Sequence, residues 1–449
     1  MNITEQFMHS IDLIAEREVP TSTLVRAQRS LLDYIAVTTA GAKANEARLK
    51  QYFADTSPEL GSCTLIGMAE KTNLKDAVFL NGLNAHTLDL DDGTNTGIIH
   101  LGSPIFSVLI PLAERKQISI DKMLRAAIIG YETSFAMAVS IQPIHKSMGY
   151  HATGTCGVLG IATAVSYMLD FSPVERKNAF AIAAVSATGM LKVLDDESEL
   201  KPYNVAKSAL MGLIATQMAK AGFIGHHDVL GGDRGFLKMM TGNKNIELYK
   251  PLLDRTYAIE KTYTKPYAAC RYCHPAIEAS IMLRKKIDAQ KIHDIVVSTY
   301  DLAVGGHDHT DIKGTGSAKM SIPYGVAVGL LEGKAGLSEY DEGHVTNYPL
   351  MGLVKKVRVQ ADANFSARFP QMQTALVSIR LTDGSEISAQ VDFPKGEPEN
   401  PLNDEEFIDR FMDLLHYADC SSEKGRSILN TCNEIKNSVA DMCDVIRGG

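Results

Sequence analysis

TALVSIRLTDGSEISAQV (374–391) decides how the chain is read. Val377, Ile379 and Leu381 alternate with neighbours of the opposite face, Asp383-Gly384 supplies a tight turn, and Ile387, Ala389 and Val391 alternate back. That pattern predicts a β-hairpin. Outward from it, Ile295, Val297 and Thr299 repeat the two-residue period, as do Val357 and Val359. Helical segments are expected between these strands, at Pro275 to Lys286 and at Ile322 to Leu331. Beyond Pro394-Lys395-Gly396-Glu397-Pro398 the period returns to that of a helix. Asn403 with Glu406 reads as its cap, and Phe407, Phe411 and Leu414 share one face.

Residues 1–264 read as helices almost throughout. Thr23 to Ala40 spaces Leu24, Ala27, Leu31 and Ile35 three or four apart, and Gly41 is the expected stop. Asp121 to Ser140 repeats the pattern after Ser119. Ser172-Pro173-Val174-Glu175 is a capping-box start that predicts a helix through Ala187. The helices are rich in Ala, Gly and Met, so several should be buried on more than one side. The expected organisation is mainly α: a helical domain of residues 1–264 and 398–449, with a strand-containing domain of residues 265–397 inserted in it.

The chain has 449 residues, too many for one domain of ~100–200 residues. With 45 Lys+Arg against 53 Asp+Glu, its formal net charge is −8, which argues against generic nucleic-acid binding. A small anionic ligand is still allowed, because a few buried cations dominate a local field. Seven scattered cysteines do not form a disulfide framework, and the N-terminal stretch carries acids early with no apolar core of a signal peptide. The longest uncharged run, Ala152 to Leu169, is broken by Gly154, Gly157 and Gly160, so it predicts a buried helix rather than a membrane span. The expectation is a cytoplasmic protein.

Four stretches concentrate ionisable residues in otherwise apolar sequence. In NAHTLDLDDG (84–93), followed by His100, a helix over Ala85 to Asp92 would put His86 and Asp89 on one face. The alternative is a helix C-terminus with solvated acids. In GYHATGTCG (149–157), His151 stands among small residues before a Gly-rich helix, as a ligand-facing group or as a packed histidine. KPYAACRYCHP (265–275) brings Lys265, Arg271 and His274 to the seam where composition shifts; its Cys270-x-x-Cys273 lacks the second pair of a zinc site. SIPY (321–324) opens an apolar helix with Tyr324. Lys201-Pro202, after the acidic run Asp195 to Glu199, reads as a surface loop. Two rival signals are weak. GHDHTD (306–311) has metal-ligand residue types without a supporting signature, so it reads as a polar loop. GGDRG (231–235) lacks the Lys-Ser/Thr of a P-loop and reads as a turn.

At AHTLDLDDG (85–93), His100 to Pro104, YHATGTCG (150–157), KPYAACRYCHPAIEA (265–279) and SIPYGVA (321–327), the chain resembles the MmgE/PrpD family. The resemblance implies a large all-helical domain with a smaller α+β lid, a homodimer, and a pocket between the domains. That pocket takes a small di- or tricarboxylate without cofactor or metal. It also implies that Asp89, His100, His151, Lys201, Lys265 and Tyr324 line the site, with Arg271 and His274 in the same matching segment. The sequence departs from the dehydratase and decarboxylase pattern at Gly93, Leu101 and Ala152.

Family chemistry of this kind removes a proton from carbon α to a carboxylate, which needs a base and a stabilised enediolate. His151 is the expected base, Tyr324 or His100 the acid, and Asp89 the group that orients a histidine. Lys201, Lys265 and Arg271 are expected on substrate carboxylates. The expected activity is that of a carbon–oxygen lyase of dehydratase or hydratase type. An epimerase of a small dicarboxylate is the alternative, and a non-catalytic carboxylate-binding protein is the alternative of another class. No membrane or nucleic-acid partner is expected.

Overall fold

Polar side chains placed one residue ahead of apolar stripes start several of the helices in the computed structural model, which describes residues 1–56, 60–194, 198–250 and 256–448. Ser119 accepts from the Lys122 N–H, and Ser172 with Glu175 forms the expected capping box. Two units result, Met1–Thr262 with Phe411–Gly449, and Tyr263–Arg410.

The first unit is built on α1 (Ile3–Ala15), α2 (Thr21–Ala44), α3 (Leu74–Thr87), α4 (Gly102–Lys116), α5 (Ile120–Ile141), α6 (Gly157–Met168), α7 (Pro173–Val185) and α8 (Lys201–Lys220). Helix α4 is buried at every position from Gly102 to Glu114, and α5 and α6 are nearly as enclosed. Small residues in the sequence allow that, because helices with short side chains can be surrounded by neighbours. This unit also holds a short antiparallel ribbon, β1 (Leu60–Thr64) with β2 (Lys71–Thr72), which the helical reading did not include. Buried Glu114 anchors it by accepting from the Thr64 N–H at 2.7 Å and from Lys71 at 2.9 Å.

The second unit carries a four-stranded sheet in the order β4–β3–β5–β6. Strand β3 (Ile292–Thr299) runs parallel to β4 (Val357–Ala361) and antiparallel to β5 (Ala375–Leu381), which pairs with β6 (Glu386–Val391). The predicted hairpin is β5–β6, in the register Val377↔Ala389 and Arg380↔Glu386. Ile295, Val297, Val377 and Ile379 are buried, as their alternation requires. Helices α9 (His274–Arg284) and α10 (Ile322–Glu332) pack together, with α9 on β5 and β6. Asn403 and Glu406 cap α11 (Asp404–Tyr417) reciprocally, and Phe407, Phe411 and Leu414 are buried. Among the described residues no helix is long and apolar enough to cross a membrane.

Three local expectations fail for identifiable reasons. Gly41 does not stop α2, which runs on to Ala44. A Cβ at Gly41 would lie 1.9 Å from the Asn84 carbonyl oxygen, so this glycine lets α2 approach α3 rather than ending a helix. Lys201 is not in a loop but begins α8, where Pro202 lacks an N–H that would have no partner in any case. Of the acidic run before it, 195–197 lie outside the described residues. The third failure, the helix over Ala85 to Asp92, shapes the site described next.

The Gly41 contact predicts a measurable cost. Gly41→Ala should destabilise the protein by ~1–3 kcal/mol, the usual cost of overpacking. Gly316→Ala, whose Cβ would meet nothing within 4 Å, should not. Thermal melts of the two variants beside the parent check this; equal melting temperatures would contradict the close approach.

Candidate active site

Helix α3 ends at Thr87, and Asp89 turns the chain with a left-handed φ of 53°. That conformation costs an L-residue about 1–2 kcal/mol, and Asp tolerates it better than most. The turn sends Asp91 and Asp92 back into the protein, where both are buried. The reading of these acids as solvated is therefore overturned, and so is the helical face shared by His86 and Asp89.

His86 instead faces Asp91, with Nδ1 2.9 Å from each carboxylate oxygen. Ser103, in the first turn of α4, donates to Asp91 Oδ2 at 2.6 Å. His100 brings its Nδ1 within 3.3 Å of the same oxygen and 2.9 Å of the Asp92 carbonyl. The Asp92 side chain accepts from the Tyr131 hydroxyl at 2.7 Å and from the Gly102 N–H at 2.8 Å. A Cβ on Gly102 would lie 2.6 Å from the Tyr131 oxygen, so only glycine fits beneath that pair. His100 also receives support from Thr153, whose hydroxyl accepts its backbone N–H at 3.1 Å.

Two further groups complete the cluster. Lys201, at the start of α8, donates to Asp89 Oδ1 at 2.8 Å, while His100 Nε2 stands 3.8 Å from that oxygen. Asp89 therefore holds Lys201, and the carboxylate that orients histidines is Asp91. His151 lies just before a short helix, Ala152–Thr155, and its backbone N–H donates to the Gly189 carbonyl at 3.0 Å. Its ring is buried, and among the described residues Nδ1 has no hydrogen-bond partner. The ring centroids of His86, His100 and His151 lie 4.5, 5.9 and 6.5 Å apart pairwise.

The charge states follow from this packing. Burial pushes His86 down to about 4 despite Asp91. Burial, with the positive fields of His86, Lys201 and His100, holds His151 well below its ordinary range. Burial alone would raise Asp91, but His100 and His86 hold it well below the usual carboxylate range. Asp92 is pushed up to about 6 by burial, which its bonds to Tyr131 and Gly102 only partly offset. At neutral pH the site thus presents neutral buried imidazoles beside an ionised Asp91 and a lysine–aspartate pair. His86, Asp89, Asp91 and His100 place ligand-type atoms within 4.8 Å of one another, a donor set of the kind that binds divalent metals. The Lys201 ammonium already on Asp89 competes with any such cation.

The remaining sequence candidates lie in the second unit. Lys265 is buried there. Arg271 is buried too; its Nε lies 3.0 Å from Glu397 Oε1, and its other nitrogens reach His274 Nδ1 at 2.8 Å and the carbonyls of Pro394 and Lys395. His274 contacts the Ala269 carbonyl through Nε2 at 3.0 Å. Tyr324 is fully buried and donates to the Glu339 carbonyl at 2.8 Å. Cys270 and Cys273 are free thiols, with Cys273 pushed up by burial. His307, which is buried, contacts the Gly305 carbonyl through Nδ1, and His309 contacts the Ser317 carbonyl through Nε2.

Sequence reading placed Asp91, Asp92 and Ser103 in an ionisable stretch without a role, passed over Tyr131, and put His86 on a face with Asp89 rather than on Asp91. The available signal was Asp92-Gly93 followed by Asn95-Thr96-Gly97, turn formers that end a helix early.

The depressed histidines make the fold acid-sensitive. Between about 4 and the ordinary 6.5 of histidine, the unfolded chain binds protons that folded His86 refuses, so stability falls as pH drops through that window. Asp92 acts oppositely between 3.8 and about 6, because the folded state takes its proton first. With His86 and His151 both depressed, the melting temperature should fall from pH 7 to pH 4.5, and less steeply in His86→Gln. A flat profile in the parent would contradict the neutral buried imidazoles.

Two family models match the chain: the MmgE/PrpD N-terminal domain over residues 5–249 and the MmgE/PrpD C-terminal domain over residues 267–435. Among curated relatives, a cis-aconitate decarboxylase of Aspergillus terreus is 25% identical over 443 residues, covering 92% of this chain and 89% of the relative. The cis-aconitate decarboxylases of Mus musculus and Homo sapiens are 24% and 23% identical, covering 91% of this chain and 86% and 87% of their own length. With matches spanning both halves of a mainly helical chain, this protein belongs to the MmgE/PrpD family.

Proposed function

We propose that this protein is a cofactor-independent lyase that acts on a small di- or tricarboxylate by removing a proton α to a carboxylate. The observation that carries the reading is His151: a buried, neutral imidazole with an unpartnered Nδ1, beside His100 and the Lys201–Asp89 pair. A neutral imidazole is a proton acceptor, and an ammonium in the same cluster can hold the carboxylate whose α-carbon is deprotonated. Family membership and relatives named for acting on a tricarboxylate support the substrate class.

In this reading the His151 imidazole takes the α-proton, and the electron pair passes into the carboxylate as an enediolate held by Lys201. Collapse of the enediolate expels the β-hydroxyl. His100, once Nε2 has taken up a proton, gives that proton to the hydroxyl, which leaves as water. Asp89 keeps Lys201 in place between turnovers. Arg271 holds the 394–397 segment through Glu397 and the two carbonyls. Roles for Lys265 and Tyr324 rest on the family resemblance.

Decarboxylation is the second reading, favoured by the relatives' names. There the C–C bond to a carboxylate breaks, carbon dioxide leaves, and the same acid protonates the carbanion.

Proton NMR in D₂O with citrate-, malate- and iminodisuccinate-like acids, and the corresponding alkenes, tests the proposal. Interconversion of a hydroxy acid with its alkene is the expected result, and loss of carbon dioxide would move the assignment to decarboxylation. Deuterium uptake with inversion and no new compound would replace both with an epimerase. With the reactive acid in hand, His151→Ala should lower kcat by about 10²–10⁴-fold; an unchanged rate would remove His151 as the base.

A further inference from the structure

Two histidines of this cluster point the same nitrogen at one buried carboxylate. His86 Nδ1 is 2.9 Å from both Asp91 oxygens, and His100 Nδ1 is 3.3 Å from Oδ2. His100 Nδ1 is also 2.9 Å from the Asp92 carbonyl, which can only accept. Ser103 fills a further Asp91 lone pair at 2.6 Å, and Asp91 is 2% exposed, so the carboxylate has no competing water-facing side. An imidazole nitrogen between two acceptors must carry the proton. The neutral ring then has its lone pair on Nε2, which for His100 is the nitrogen facing Asp89 and for His86 is a buried atom without a partner.

We propose that Asp91 is the positioning residue of the site, fixing His100 and His86 together as Nδ1–H tautomers so that His100 meets substrate through Nε2. The assignment deepens the lyase reading above and uses it only for the role of His100. The His86 and His100 rings stand 4.5 Å apart, edge to face, on either side of this carboxylate. Burial disfavours the charge on His86. His86 then acts as a neutral spacer whose ring supports the edge of His100. The groups facing His100 are Asp89, Asp91 and Asp92 on its own loop, His86 at the end of α3, His151, and Lys201 on α8. Of these, Asp91 and the Asp92 carbonyl are the acceptors that contact Nδ1.

The test is long-range ¹⁵N–¹H NMR of the full chain with ¹⁵N-histidine at neutral pH and without substrate. The His100 and His86 signals are assigned by loss in His100→Gln and His86→Gln. Nδ1–H tautomers at both are expected in the parent, and an Nε2–H tautomer at His100 would overturn the proposal without any variant. In Asp91→Asn, whose amide can accept from one imidazole while donating to the other, at least one ring should change to Nε2–H. Ser103→Ala, which leaves the carboxylate intact, should keep both tautomers. Unchanged tautomers in a folded Asp91→Asn protein would also overturn it. These readouts need no turnover, so a failed search for substrate tests the lyase reading and leaves this one to the spectra.

Discussion

The Asp91 carboxylate lies inside the protein with three partners, and the local architecture of the helical unit follows from satisfying it. Removing a partner from a buried, paired charge typically costs about 3–5 kcal/mol, because the remaining charge is left uncompensated. Each partner comes from a different segment: His86 from the end of α3, Ser103 from the start of α4, and His100 from the loop between them. The left-handed turn at Asp89 makes this convergence possible, since a continued helix would carry Asp91 past His86. Local backbone strain at a functional cluster of this kind persists only where surrounding contacts over-determine it. Here those contacts are the bonds to Asp91 and Asp92.

From that constraint the chemistry of the site is largely set. Burial holds His86 and His151 in their neutral forms, and His151, outside the Asp91 array, keeps a ring nitrogen without a hydrogen-bond partner among the described residues. The single lysine of the cluster is stored on Asp89. Neutral bases beside a paired ammonium suit proton transfer, whereas a network of ion pairs alone would only stabilise the fold. Tyr131 and Gly102 form a second tier, holding Asp92 so that its backbone carbonyl is aimed at His100.

Much of the architecture was legible because it rests on local rules. The hairpin at 374–391 follows from period-two alternation and Asp383-Gly384, and the helix starts at Ser119, Ser172 and Asn403 follow from capping chemistry. The failures came where a residue answers to a partner distant in sequence. Gly41 looks like a stop and is a contact point with Asn84. Lys201 looks like a loop residue and is held by Asp89, 112 positions away. In the candidate site, His100, His151, Asp89 and Lys201 were singled out from motifs and do cluster within one unit. Asp91 was given no role because its importance lies in two Nδ1 atoms that no spacing rule brings together. Tyr131 carries no signal until α5 packs its hydroxyl onto Asp92, and Ser103 gains its role only when α4 brings it to Asp91.

The central claim is that the cluster receives a small polycarboxylate on Lys201 next to a neutral base. Isothermal titration calorimetry of a tricarboxylate into the full-length protein and into Lys201→Met measures this directly. The account predicts binding to the parent and a loss of at least tenfold in affinity, about 1.4 kcal/mol, in the variant. Equal affinity for the two proteins, or no binding of any di- or tricarboxylate to the parent, would contradict it.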